Sequence, residues 1–279
     1  MLRYIAADVR RDLARKMVFV AGPRQVGKTT FAKSLLRNAA GYLNWDVRAD
    51  RARIVAGELP TANLWVLDEI HKFRRWRNFL KSIYDGRRVG QRILVTGSAR
   101  LDLYRFGGDS LQGRYHMHRL HPLSVAELRS KQQKDLDALF ELGGFPEPFF
   151  EGSEAFARRW SREYRSRLVA EDLVSLESVR DVTLVELLLA ELPRRVGAPL
   201  SVNALREDLS VSHKSVESWL DILERLYAIF RLAPFGHRKI RAVKKERKHY
   251  HFDWTVVPDA PQRFENVCPD NNTTHDKSS

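Results

Sequence analysis

Two groups of residues have the types and spacing for chemistry on a phosphate ester. The first is Gly22-Pro23-Arg24-Gln25-Val26-Gly27-Lys28-Thr29-Thr30, which reads G-x-x-x-x-G-K-T. Glycines let a backbone bend sharply and aim its N–H groups at phosphate oxygens. Lys28 can neutralise charge on the β- and γ-phosphates, and the Thr29 hydroxyl can ligate Mg²⁺. The second group is Asp68-Glu69, which closes the apolar run Leu64-Trp65-Val66-Leu67. With Thr29 holding a metal ion, Asp68 is placed to support that ion. Glu69, one residue further, is placed to polarise a water toward the γ-phosphate.

These groups need elements that hold them. Met17-Val18-Phe19-Val20-Ala21 reads as a buried strand, and Phe31 to Leu36 as the helix that follows the loop. Gly41 to Asp46 is a second strand with a polar end, Leu64 to Glu69 a third, and Ile93 to Ser98 a fourth that ends in hydroxyls. Strands alternating with helices predict an α/β parallel sheet with its ligand at the carboxyl ends of the strands. Thr96 and Ser98 would then sense the γ-phosphate, position the water, or cap the next helix. Leu2, Ile5, Val9 and Leu13, three or four apart between arginines, predict an amphipathic helix packed on this domain.

Four stretches, GPRQVGKTT, LWVLDEIHK, ILVTGSARLDLY and SLQGRYHMHRLHPLS, resemble the prokaryotic AAA-type P-loop ATPases that carry a C-terminal domain of poorly defined function. The resemblance runs to about Phe264. It implies an ATPase domain that uses ATP and Mg²⁺, then a helical region, then a winged-helix segment. A restriction-nuclease-like fold follows in many members. An arginine from a neighbouring subunit often completes such a site, with Arg114 the candidate and Arg100 the alternative. The implied boundaries are an ATPase domain over 1–126, helices over 127–198 and a winged helix-turn-helix over 199–235. A basic segment with the start of a truncated domain then covers 236–266.

Charge and composition limit the partners. Lys and Arg number 48 against 35 Asp and Glu in 279 residues, giving +13 and a pI near 10.0. That balance favours polyanions such as DNA, or an acidic surface. The single cysteine, Cys268, excludes an intramolecular disulfide framework and suits a reducing cytoplasm. No segment has the length of a membrane span. His116, His118 and His121 have no acid or cysteine with them in sequence, so they read as an edge strand rather than a metal site.

Past the first domain, Phe156, Trp160 and Tyr164 recur at helical spacing and predict a core face, with arginines from Arg158 to Arg167 on the other side. Ser201 caps one helix and Lys214 to Leu226 forms a second, whose outward face carries Lys214, Ser215, Glu217 and Ser218. Tyr227 to Leu232 supplies a strand. This pair could contact DNA or a protein. Gly236 to His249 is a dense basic run, either a solvated loop or a tether for phosphates.

Tyr250 to Trp254 reads as a strand that lacks its sheet, and Arg263 to Asn266 as the start of a helix. From 267 to 279 the periodicity is lost, which predicts a disordered tail after a reading-frame change, a deletion or a natural short form. Against the nuclease pattern only Glu265 corresponds. The sequence therefore predicts an ATPase that works on a nucleic acid, a protein partner or a homo-oligomer, and no nuclease. Its rival is a nucleotide-dependent switch. A small-molecule kinase is disfavoured by the Asp68-Glu69 pair and the appended helices.

Overall fold

The computed structural model describes residues 3–97, 101, 111–128, 132–173, 181–233 and 246–273. The chain divides into two compact units, 1–121 and 122–279. Among the described residues no helix is long and apolar enough to cross a membrane.

The first unit is a five-stranded sheet of β1 (Met17–Ala21), β2 (Tyr42–Asn44), β3 (Leu64–Asp68), β4 (Arg92–Thr96) and β5 (Tyr115–Arg119). The order is β2-β3-β4-β1-β5, and every neighbouring pair is parallel. All five residues of β1 are buried, as expected of a central parallel strand. Its register sets Val20 opposite Thr96, and β3 sets Asp68 between Asn44 and Thr96. The polar strand ends therefore line one edge of the sheet. Helices α1 (Ala6–Leu13), α2 (Lys28–Ser34), α3 (Arg48–Ala56) and α4 (Trp76–Asp85) accompany the sheet. Met17, Phe19, Leu43, Leu67, Ile93 and Val95 pack with Ile54, Trp76 and Leu80 into one core. Ile5, at the N-cap of α1, and Val9 and Leu13 within it are buried as their spacing predicts, while Leu2 lies outside the described residues.

His116 and His118 do lie on an edge strand, β5, whereas His121 lies beyond its end, and one of the strand pair has an acid partner. His118 Nε2 lies 2.8 Å from Asp12, a carboxylate from α1 that is distant in sequence. Among the described residues no group of three or more His, Cys, Asp or Glu is arranged to hold a metal ion.

The second unit begins with helices α5 (Gln133–Leu142), α6 (Pro146–Glu151) and α7 (Glu154–Arg167). Trp160 and Tyr164 are buried and stack with each other, and both meet Phe145. The turn before α6 needs its glycine: a Cβ on Gly144 would lie 2.5 Å from Trp254 and 2.8 Å from the Leu123 carbonyl. Helix α8 (Val182–Glu191) precedes α9 (Val202–Asp208) and α10 (His213–Arg225). Ser201 and Ser212 cap the last two by accepting from Ala204 N and Ser215 N. Antiparallel strands β6 (Ile229–Leu232) and β7 (Lys248–His251) follow, then α11 (Ala260–Thr273).

Two expectations about the C-terminal segment are corrected. The strand expected to lack a sheet pairs with β6, from Ile229 opposite His251 to Leu232 opposite Lys248. The helix does not stop at Asn266 but runs through Thr273, where a disordered tail was expected; residues 274–279 lie outside the described residues. The reason is local anchoring. Asn266 is fully buried, and its amide donates to His251 O at 2.7 Å and accepts from His251 N at 2.8 Å. Glu265 accepts from Lys248 and from Tyr250, and Val267 enters a core with Leu123, Leu128, Leu139 and Trp254. Glu265, expected as a remnant of a nuclease site, thus ties α11 to β7.

Candidate functional site

The loop between β1 and α2 takes a shape that its residues impose. At Gly22 φ is +153°, and a Cβ there would lie 2.2 Å from the Leu120 carbonyl oxygen, so glycine is obligatory. Gly27, with φ +92°, stands immediately before α2. The first backbone N–H groups of α2 have no partner within the helix, and they point out of its N-terminus with its positive dipole end. Lys28 is buried and folds back over the loop, its ammonium donating to the Gly22 and Pro23 carbonyls at 3.0 and 2.6 Å. Val26 is buried as well, whereas Gln25 and Thr30 are exposed. The loop is pinned from outside by Arg3, whose guanidinium donates to Val26 O at 2.8 Å and to His121 O at 2.5 Å.

Asp68, 2% exposed at the end of β3, accepts from three hydroxyls. Thr29 reaches it at 2.7 Å, Thr96 at 2.5 Å and Tyr42 at 2.7 Å. Thr96 is fully buried, so its hydroxyl fixes Asp68. Burial, then the Asp68 carboxylate, push the Tyr42 phenol far up, so Tyr42 is a permanent donor. Spacing in the sequence singles out neither Tyr42 nor Arg3. Both act across long separations in the chain, and the only signal for Tyr42 is its place on the strand beside β3.

Glu69 follows with φ +54°, a left-handed conformation that a glutamate adopts at a cost of about 1–3 kcal/mol when its surroundings enforce it. Its N–H donates to Thr96 O at 3.0 Å, which holds the turn. The carboxylate lies 3.4 Å from Lys72 and 3.6 Å from His71. Lys72 also pairs with Asp46 at 2.5 Å. Burial raises the Glu69 carboxyl above its ordinary range, while Lys72 and Lys28 act to lower it. His71 itself is almost fully enclosed, packed so close to Gly97 that a Cβ there would sit 2.7 Å from its ring.

The structure thus brings Gly22 to Thr30, Asp68, Glu69 and Thr96 to one edge of the sheet. It does not bring Arg114 there. Arg114 precedes β5 at the amino edge, and its guanidinium makes a two-point contact with Asp85 at 2.9 and 3.2 Å. Ser98 and Arg100 lie outside the described residues. The donor set suits Mg²⁺, a hard ion that takes oxygen ligands: a hydroxyl on Thr29 beside the carboxylate of Asp68.

Residues 14–129 match the model of a family described as an AAA domain, and residues 133–260 match a domain of unknown function. Uncharacterized proteins of Mycobacterium tuberculosis and Mycobacterium bovis are each 27% identical over 252 residues, covering 87% of this chain and 56% of theirs. One from Methanocaldococcus jannaschii is 23% identical over 273 residues, covering 84% of this chain and 61% of its own. The chain spans little more than half the length of these relatives. A solved DNA polymerase III gamma subunit-related protein of Thermotoga maritima aligns over 97% of this chain and 98% of its own, with a TM-score of 0.31 and 10% identity. The parallel sheet, the loop after β1 and the match over residues 14–129 make this part of the chain similar to P-loop domains of the AAA type.

Proposed function

We propose that the first unit binds ATP and hydrolyses it to ADP and phosphate, and that the second couples this cycle to a nucleic-acid or protein partner. The observation that carries hydrolysis is the pairing at the end of β3. Asp68 is fixed by three hydroxyls, and the next residue, Glu69, is turned by its backbone to the same edge as the phosphate loop. Lys28 exchanges its contacts with loop carbonyls for phosphate oxygens, where it offsets their charge. Glu69 orients a water and accepts its proton as the water oxygen bonds to the γ-phosphorus and the bond from that phosphorus to the bridging oxygen breaks, with ADP leaving. Thr29 and Asp68 would hold Mg²⁺, which would supply charge neutralisation on the phosphates.

The order of elements supports a winged helix in the second unit. Helix α8, the short bridge of Pro199 to Lys248, helices α9 and α10, and strands β6 and β7 follow one another as in that fold. The acids of α10 are turned to β6. Arg231, 6% exposed at its side chain, pairs with Glu217 at 3.7 Å, with Glu224 at 2.7 Å and with Asp221. Lys214, Ser218 and Arg225 are exposed on α10, and so is Asp221, so the face is mixed in charge and suits a protein as well as a nucleic acid. Most of the basic run after β6, residues 234–245, lies outside the described residues. The arginines of α7 are weaker candidates for phosphate contact, because Arg158 pairs with Glu154, and Arg159 and Arg167 with Glu163. Completion of the site by a second copy belongs to the same proposal, with Arg114, released from Asp85, as the donor and Arg100 as the alternative.

A second reading, a nucleotide-dependent switch with little turnover, is favoured by one observation: Lys72 and His71 flank the Glu69 carboxylate. Phosphate release with and without nucleic acid, alongside calorimetric nucleotide binding, separates the readings. Lys28→Ala should weaken binding. Glu69→Gln should keep binding and lose roughly 100-fold or more in turnover. A Glu69→Gln variant that hydrolyses at the parental rate refutes the assignment of the base. Binding without turnover in the parent, with every nucleic acid tried, leaves the switch.

A further inference from the structure

At the amino ends of the strands, the edge opposite Asp68, lies a cavity of about 430 Å³ lined by Arg15, Lys16, Arg87, Arg88 and Arg92. We propose that this recess binds the phosphodiester backbone of a nucleic acid, without regard to sequence. The cationic side chains come from the turn after α1, from the loop between α4 and β4, and from the first residue of β4. None of the five has a carboxylate partner among the described residues, and Arg15, Arg88 and Arg92 are exposed. Of the acids on the adjoining elements, Asp12 contacts His118 at 2.8 Å, and Asp85 is held at two points by Arg114 and acts on Arg87 only through space. No ion pair closes on any of the five, so the positive field in the recess is only partly offset, by Asp85 acting on Arg87.

The recess is built rather than loose. Arg87 lies over the Tyr84 ring, 3.5 Å from its centroid, and donates to Tyr84 O. Buried Gln91 accepts from Arg88 at 3.4 Å and its N–H donates to Arg88 O at 3.0 Å, closing the loop. Guanidinium groups held this way are preorganised for phosphate oxygens, which they contact in a planar fork. A concave basic surface receives a thin, repeating anion, whereas a bilayer presents a broad plane. Arg87 covers a face of Tyr84, the aromatic residue of the lining, so that face is closed to a base. Contact is then with phosphates alone, which makes it independent of sequence.

The site lies the length of a five-residue strand, roughly 16 Å, from the ATP loop. It rests on neither ATP hydrolysis nor the helices of the second unit. The test is fluorescence anisotropy of labelled single-stranded and duplex DNA of two unrelated sequences, with the whole chain, without nucleotide, over a range of salt. Binding should weaken steeply with salt and differ little between sequences. Replacing the five residues by alanine should weaken binding at low salt about tenfold or more and lower the log–log salt slope, by about 0.7–0.9 for each phosphate no longer neutralised. The exposed pair Arg15→Glu with Arg88→Glu should give the same direction of change, should the fivefold variant not fold. A variant that removes four charges from α7 (Arg158, Arg159, Arg162 and Arg167 to Ala) should retain most of the affinity. Parental binding by the recess variants, or an equal loss in the α7 variant, overturns the proposal. Failure here leaves ATP turnover untouched, and loss of turnover in Glu69→Gln leaves this binding untouched.

Discussion

Glu69 must be ionised to accept a proton, yet its surroundings pull in opposite directions. Burial raises its carboxyl above the ordinary range, and the Lys72 and Lys28 ammonium groups oppose that rise. Asp68 adds to the rise, and Asp46 draws part of the Lys72 charge away. The acid limb of turnover should therefore sit above the usual carboxylate range, with activity falling as pH falls through it. Lys72→Met removes a cation, so the limb should move to higher pH. Measurement of kcat against pH at saturating ATP checks this. An unmoved limb would assign it to another group. At this scale the sequence was informative where spacing is local, as in Gly22 to Thr30 and Asp68-Glu69. It was silent on Tyr42, which joins Asp68 across 26 residues, and on Arg3, which reaches Val26 across 23. Hydrogen bonds between elements leave no periodic trace in a chain.

At the scale of elements, the apolar runs of the sheet and the helix that packs Trp160 and Tyr164 were legible from period alone. The end of α11 was not. Pro269 lacks an N–H and Asn271 and Asn272 are weak helix formers, so propensity argues against a helix there. Tertiary anchoring by Glu265, Asn266 and Val267 overrides it. Strand β7, against which this anchor works, carries two buried histidines. Burial lowers His249 to about 4, against a hydrogen bond to Leu192 O that acts to raise it. Burial also holds His251 well below its ordinary value, with His249 and Arg165 adding to the effect. A histidine depressed in the folded state contributes stability above its unfolded pKa, near 6.5, and loses it as pH falls. The second unit should therefore lose stability between pH 6.5 and 4. Denaturant unfolding followed by tryptophan fluorescence at several pH values measures this. His251→Leu should flatten the profile in that window, and an unchanged acid dependence would place the proton uptake elsewhere.

Over the whole molecule, the family match and the structural unit do not coincide, and the difference is testable. The match to the AAA domain begins at residue 14, whereas the first unit begins with the chain and ends at His121. Residues before 14 supply Arg3, which bridges the phosphate loop at Val26 O and the end of the unit at His121 O. They also supply Ile5, Ala6, Val9 and Leu13, all buried. Removing them exposes the apolar surface they cover and frees the loop to sample conformations in which its N–H groups diverge, so part of the binding free energy is spent on ordering it. A fragment of residues 1–129 should bind Mg-ATP with an affinity close to that of the whole chain, as measured by calorimetry. A fragment of residues 14–129 should melt lower and bind more weakly. Arg3→Met in the whole chain isolates the loop contribution from the burial contribution. It should weaken nucleotide binding by about five- to thirtyfold, the change that a loss of about 1–2 kcal/mol in binding produces. Equal nucleotide affinity in Arg3→Met and the parent would mean that the loop holds its shape without that arginine, and that α1 serves the core alone.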